Sequence, residues 1–185
     1  EIASCLVGSE MCIRDRATTD PNVVDPVVFY DNEGKLWMIY GSYSGGIFVK
    51  EMDAETGMPL ESGYGEKLLG GNHLRIEAPY VIYNEETGYY YMFLSFGGLD
   101  SDGGYNIRVC RSENPSGPYV DSMGQDMKDC KGPAGSAFSD ATAELYGTKL
   151  MGGYKFTWKE GEEGEDRKGY LSPAVSYTHL TLPTI

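Results

Sequence analysis

The sequence is poor in positive charge: 15 lysines and arginines face 28 aspartates and glutamates across 185 residues, a formal net charge of −13. That balance excludes a nucleic-acid partner, because gripping phosphate needs a positive field that this composition does not supply. Long apolar runs are missing too. Nothing approaches the roughly 18 consecutive apolar residues of a membrane span, so no membrane partner is expected, and the N-terminus does not show the layout of a signal peptide. What the chain has in quantity is glycine, 25 residues, and tyrosine, 15 residues, against a background that is 41% apolar. This is enough apolar material for the core of about one domain, and the composition predicts many short strands joined by turns, an all-β fold.

The two ends are set apart from the rest by abrupt changes in composition and pattern. Residues 1–16, EIASCLVGSEMCIRDR, resemble a string that recurs in conceptual translations of read-assembly or adaptor sequence, and residues 174–185, AVSYTHLTLPTI, resemble its counterpart at the other end. Residues 17–173 are therefore expected to carry the protein information. Removing Arg14, Arg16, Glu1, Glu10 and Asp15 with the head leaves the net charge strongly negative, at −12. Cys5, Cys12 and His179 also fall in the ends. Cys110 and Cys130 are then too few and too far apart for a zinc site and are expected as free thiols. His73 alone makes neither a metal centre nor a Ser-His-Asp or Cys-His arrangement, so no cofactor or metal is expected on this chain.

The strongest signal inside 17–173 is an internal repeat. The first copy runs from Asp25-Pro26-Val27-Val28-Phe29-Tyr30 through the turn Asp31-Asn32-Glu33-Gly34 into residues 35–42; the second runs from Ala78-Pro79-Tyr80-Val81-Ile82-Tyr83 through residues 84–88 into residues 89–97. Pro26 matches Pro79 and Tyr30 matches Tyr83, and each copy continues through a Gly-Gly pair into a third strand, over 47–52 and 105–112. Asp/Asn/Gly turns between such strands predict antiparallel meanders. The middle strands are apolar on both faces, with Leu36, Met38 and Tyr40 alternating with Trp37 and Ile39. Sheets covered on both sides follow, as in stacked propeller blades.

In such a blade the strand opening with X-Pro lies nearest the axis, where proline costs little hydrogen bonding. Asp25 and Glu77 stand where these strands begin. Two converging carboxyls are what glycosidic hydrolysis uses, one protonated to donate to the leaving oxygen and one charged nearby. The alternative for both is a turn or strand cap.

The stretches 22–53, 70–121, YGTKLMGGYKF and GYLSP resemble glycoside hydrolase family 43, five-bladed β-propeller enzymes, and are most similar to its endo-α-1,5-L-arabinanases. The resemblance implies a partial propeller, with blades two and three and the start of a fourth within 17–173. It implies an inverting mechanism with three carboxylates, of which Asp25, in VDP, matches the residue that orients the acid and tunes its pKa. Glu77, in IEAPY, matches the general acid. Where this chain has Ala78 the family usually has glycine. Ser42 matches a sugar-contacting position, with Tyr43 and Ser44 beside it as candidates, and His73 is a candidate contact at the cleft rim or a structural hydrogen-bonding group. The general base would lie in the first blade, upstream of residue 17. Asp20 is only five residues before Asp25 and cannot occupy a separate blade, so this chain alone is expected to be inactive. The implied substrate is arabinan or an arabino-oligosaccharide, and the implied parent is secreted or periplasmic, with calcium in its channel near a histidine beyond Pro173. His179 is rejected as that ligand. A β-xylosidase-type member or a non-catalytic carbohydrate-binding propeller remains the alternative.

Residues 121–169, with the acidic run at 159–166, are expected as solvated loop around an outer blade strand. Trp37 is expected in packing rather than as a sugar platform, and for Trp158 both readings stay open.

Overall fold

The computed structural model describes residues 19–98, 104–132, 145–162 and 169–171. The two end segments, His179 and residues 163–166 of the acidic run lie outside them. Among the described residues the chain is all-β apart from one 3-10 turn, Met127–Asp129. Strands β1 (Val27–Tyr30), β2 (Leu36–Tyr40), β3 (Ile47–Met52) and β4 (Glu66–Leu69) form one antiparallel meander; β5 (Ile76–Asn84), β6 (Tyr89–Phe96), β7 (Asn106–Ser112) and β8 (Thr148–Gly152) form a second. A short antiparallel pair follows, β9 (Tyr154–Phe156) with β10 (Gly169–Leu171). The described residues do not close into a ring.

The repeat read from the sequence is this pair of sheets. Each first hairpin is set by its turn. Asp31 Oδ1 accepts from the backbone N–H groups of Glu33 and Lys35, both at 2.9 Å, and Gly34 takes φ 84°. In the second copy Asn84 Oδ1 accepts from Thr87 N–H at 3.0 Å, and Gly88 takes φ 71°. These are the local side-chain-to-backbone bonds by which Asp and Asn favour turns. Beyond the repeat, the region 121–169 is more structured than a solvated loop: it supplies β8, and Met127 in the 3-10 turn is 1% exposed.

One core lies between the sheets. Val27, Ile39, Ile47, Val49 and Leu69 of the first meet Val81, Tyr90, Met92, Leu94 and Phe96 of the second, and Tyr119, Met127 and Cys130 close one side. Cys110 and Cys130 are buried free thiols, and burial pushes both up, Cys130 to about 12, so neither is a nucleophile at neutral pH. Trp37 packs partly buried against this core and its indole N–H donates to Asp31 Oδ2 at 2.8 Å, which agrees with a packing role. Trp158 stacks edge-on against Phe156 at 5.0 Å.

Candidate active site

The repeat brings the starts of its two inner strands together. Asp25 and Ala78 occupy equivalent places, each before a proline, and both adopt left-handed backbone at φ 55° and 54°. A residue before proline ordinarily prefers extended backbone, and left-handed φ costs a side-chain-bearing residue about 1–2 kcal/mol. The strain is compensated across the seam. The β5–β6 ladder shifts register between Glu77 and Tyr80, leaving Ala78 and Pro79 out of it. The freed Ala78 N–H donates to Asp25 Oδ2 at 3.1 Å. Asp25 thus has the capping bond of the simpler reading, made to the neighbouring sheet rather than to its own turn. Ala78, where the family usually has glycine, thus holds a methyl-bearing residue in a conformation that glycine adopts freely.

Glu77 is half-buried beside this contact and both its oxygens are engaged. Tyr105 O–H donates to Oε1 at 2.6 Å and Ser42 O–H donates to Oε2 at 3.2 Å. Ser42, 3% exposed, follows β2 in the first sheet, while Tyr105 precedes β7 in the second, so the carboxyl is held from both sides of the seam. Burial pushes the Glu77 carboxyl above the usual carboxylate range; the Tyr105 bond opposes this, the Asp25 charge adds to it, and the Ser42 bond opposes it again. The outcome is a raised pKa, the direction of shift that a general acid needs. Tyr105 itself is pushed up by burial and by the neighbouring Glu77, so it remains a donor, and the Ser95 side chain also bonds its hydroxyl.

The other sequence candidates line the same end of the seam. Tyr43 N–H donates to Ile76 O at 2.9 Å, and His73 N–H donates to Ser44 O at 3.0 Å. Tyr43, Ser44, Asn72 and His73 all take positive φ, at 50°, 24°, 53° and 55°. Two pairs of non-glycine residues in left-handed backbone, facing each other, are strain of the kind that gathers at binding sites. Ser44 is fully buried, and its hydroxyl has no partner among the described residues. Asp20 has other partners: its carbonyl accepts from Gly45 N–H at 2.9 Å and its side chain from Thr19. Tyr105 is the participant that the sequence reading missed. The ladders match Ile47 of β3 with Ile107 of β7, so Tyr105 stands two residues ahead of that position; a hydroxylated aromatic directly after the second Gly-Gly pair was the available signal.

No group of three or more His, Cys, Asp or Glu side chains among the described residues is placed to hold a metal ion.

Comparison with known proteins agrees with this geometry. The family Glycosyl hydrolases family 43 matches residues 12–150. An extracellular endo-α-(1→5)-L-arabinanase 2 of Bacillus subtilis is 60% identical over 158 residues, which is 85% of this chain and 33% of the relative. An extracellular endo-α-(1→5)-L-arabinanase of Thermotoga petrophila is 54% identical over 155 residues, 83% of this chain and 31% of the relative. A crystal structure of a family 43 glycoside hydrolase from Bacillus licheniformis superimposes with a TM-score of 0.72 at 62% identity, covering 74% of this chain and 31% of that one. The chain thus spans about a third of the length of the curated relatives it matches. With a family match running through both sheets and through both of the strand starts that bear carboxyls, the chain belongs to glycosyl hydrolases family 43.

Proposed function

We propose that this chain forms two successive blades of a five-bladed propeller, and that the parent is an extracellular inverting hydrolase of α-1,5-linked arabinan. The observation that carries the reading is the Glu77 carboxyl, raised by burial and by Asp25 and clamped between Ser42 and Tyr105. Support for the substrate comes from relatives named as endo-arabinanases at 54% and 60% identity.

In this reading Glu77 is the general acid. Water, activated by a carboxylate from a blade outside this chain, attacks the anomeric carbon from the face opposite the leaving group. As the bond from that carbon to O5 of the next arabinose breaks, the leaving oxygen takes the Glu77 proton and the base takes the water proton. Asp25 adds to the rise in the acid's pKa that burial begins and, through Ala78 N–H, fixes the strand that bears it. Ser42 and Tyr105 orient the carboxyl, and Tyr43 and His73 are sugar contacts at the rim.

The direct test follows the anomer released from linear arabinan by the intact parent, using NMR at early times. Inversion with internal cleavage is expected; retention of configuration, or release of xylose from xylan in preference, overturns the assignment.

The same assignment fixes two pH shifts of opposite sign. A general acid works only while protonated, so kcat/KM falls as pH rises through the Glu77 pKa. Asp25→Asn removes a charge that raises that pKa and should move the falling limb to lower pH. Tyr105→Phe removes a bond that favours the charged form and should move the limb to higher pH. Purely structural roles for these residues would lower the rate without parting the two profiles.

A further inference from the structure

We infer that the outer rim of the seam between the two sheets carries a second, non-catalytic carbohydrate site, a groove walled by Tyr64 and Leu60, with the packed Trp37 in its lining, that takes a neutral pentosan chain.

The groove encloses about 590 Å³ and is lined by these three residues together with Glu51, Glu61 and Ser116. Its volume falls within the range of about 300–1,000 Å³ common for ligand sites. The groove is complete within the described residues. Paired residues on neighbouring strands share a face, so Phe29, Trp37 and Glu51, which pair in turn across β1, β2 and β3, point the same way. That way is toward the second sheet, because the Phe29 ring lies 6.2 Å from that of Tyr90 on β6. Ser116, after β7, supplies the opposite side. The exposed apolar residues Val28 and Tyr30 lie on the other face of the first sheet, so a further blade packed there leaves the groove open.

Its wall is built rather than incidental. The loop from Pro59 to Gly65 is fixed by its backbone: Leu60 N–H donates to Glu51 O at 3.1 Å, Tyr40 O–H to Tyr64 O at 2.7 Å, and the buried Lys50 ammonium to Gly63 O. Those bonds use backbone carbonyls and leave Leu60 and Tyr64 55% and 49% exposed, both in the lining of the groove. The Trp37 indole is held by Asp31.

The lining selects the ligand class. Aromatic and aliphatic surfaces suit the C–H faces of sugar rings, and carboxylates accept hydrogen bonds from hydroxyls. Lys50, the cation in the wall, is committed to Gly63 O, and Glu51 and Glu61 face the opening. A uronate chain would meet like charge, as it would over the whole surface at net −13; a neutral chain meets no such repulsion. The choice of arabinan among neutral pentosans rests on the function proposed above.

The test is affinity electrophoresis of the intact parent, in a Glu77→Gln background so that the polymer survives, through gels containing linear arabinan or xylan. Tyr64→Ala should weaken retention about three- to ten-fold, the worth of one aromatic contact. Tyr64→Phe, which keeps the ring, should restore it. With Glu77 intact, Tyr64→Ala should leave kcat/KM on a short arabino-oligosaccharide unchanged. Retention that is equal in all three Tyr64 forms, lost in both variants, or absent from both gels overturns the site. The same pattern on xylan in place of arabinan supports the groove and instead defeats the arabinan reading of the catalytic cleft.

Discussion

Glu77→Gln in the intact parent should cut turnover on linear arabinan by about 10²–10⁴-fold, the usual worth of a positioned proton donor, while leaving affinity for the polymer nearly unchanged. The split follows from what the two side chains share. The Gln amide oxygen can still accept from Tyr105, and the amide nitrogen can donate to the Ser42 hydroxyl, so the clamp seen around the carboxyl, with its bonds of 2.6 and 3.2 Å, survives in outline. The amide has no proton to give a departing alkoxide. An activated aryl arabinoside, whose leaving group departs without protonation, should therefore lose far less rate than arabinan, and the falling alkaline limb of the pH profile should disappear. Steady-state kinetics on both substrates across pH decide the matter. Equal losses on both, or full activity on arabinan, would remove Glu77 from the acid's role.

The parts of the fold that the sequence made legible are those in which local chemistry and repeat agree. The offset of 53 residues between Asp25 and Ala78 places β1 and β5, and the Asp/Asn/Gly turns and alternating apolar residues that follow carry the match on to β2 and β6 and to β3 and β7, with one added residue in the second copy's turn and several more before its third strand. The left-handed backbone that Asp25 and Ala78 share has only the proline after each of them as its trace in the sequence. The outer strands are a different case. Glu66–Leu69 and Thr148–Gly152 are short, and β8 is exposed along most of its length, so neither has the periodicity that burial writes into a sequence. The site divides in the same way. Asp25 and Glu77 can be found where strands begin, whereas the clamp on Glu77 comes from residues 35 positions before it and 28 after it, in different sheets. Those contacts depend on how the sheets pack, which no local pattern encodes. Tyr105 stands ahead of β7, outside the stretch of that strand which the repeat matches to β3.

How the sheets pack is decided largely by Tyr90, and Tyr90→Ala should be the most damaging core substitution among those the seam offers. The side chain is fully buried, its ring 4.7 Å from that of Tyr83 and 6.2 Å from that of Phe29. Its hydroxyl donates to Asn32 Oδ1 at 2.7 Å and accepts from Asn32 N–H at 3.0 Å, pinning the β1–β2 turn of the first sheet to β6 of the second. Truncating a large buried aromatic costs about 3–5 kcal/mol through lost burial and the cavity left behind, a large fraction of the total stability of an ordinary domain. Tyr90→Phe keeps the ring and removes only the bonds to Asn32, whose exposed polar groups water can then satisfy, a loss of about 0.5–1.5 kcal/mol. Urea unfolding of the parent should show the midpoint dropping in that order. If Tyr90→Ala unfolds at the same urea concentration as the unsubstituted protein, the seam is held by something else. The catalytic geometry depends on the same seam, since it sets the 3.1 Å bond between Asp25 and Ala78 N–H. Tyr90→Phe should accordingly leave the pH profile of cleavage unmoved wherever the protein is folded, which separates a residue that holds the sheets together from those that tune the acid.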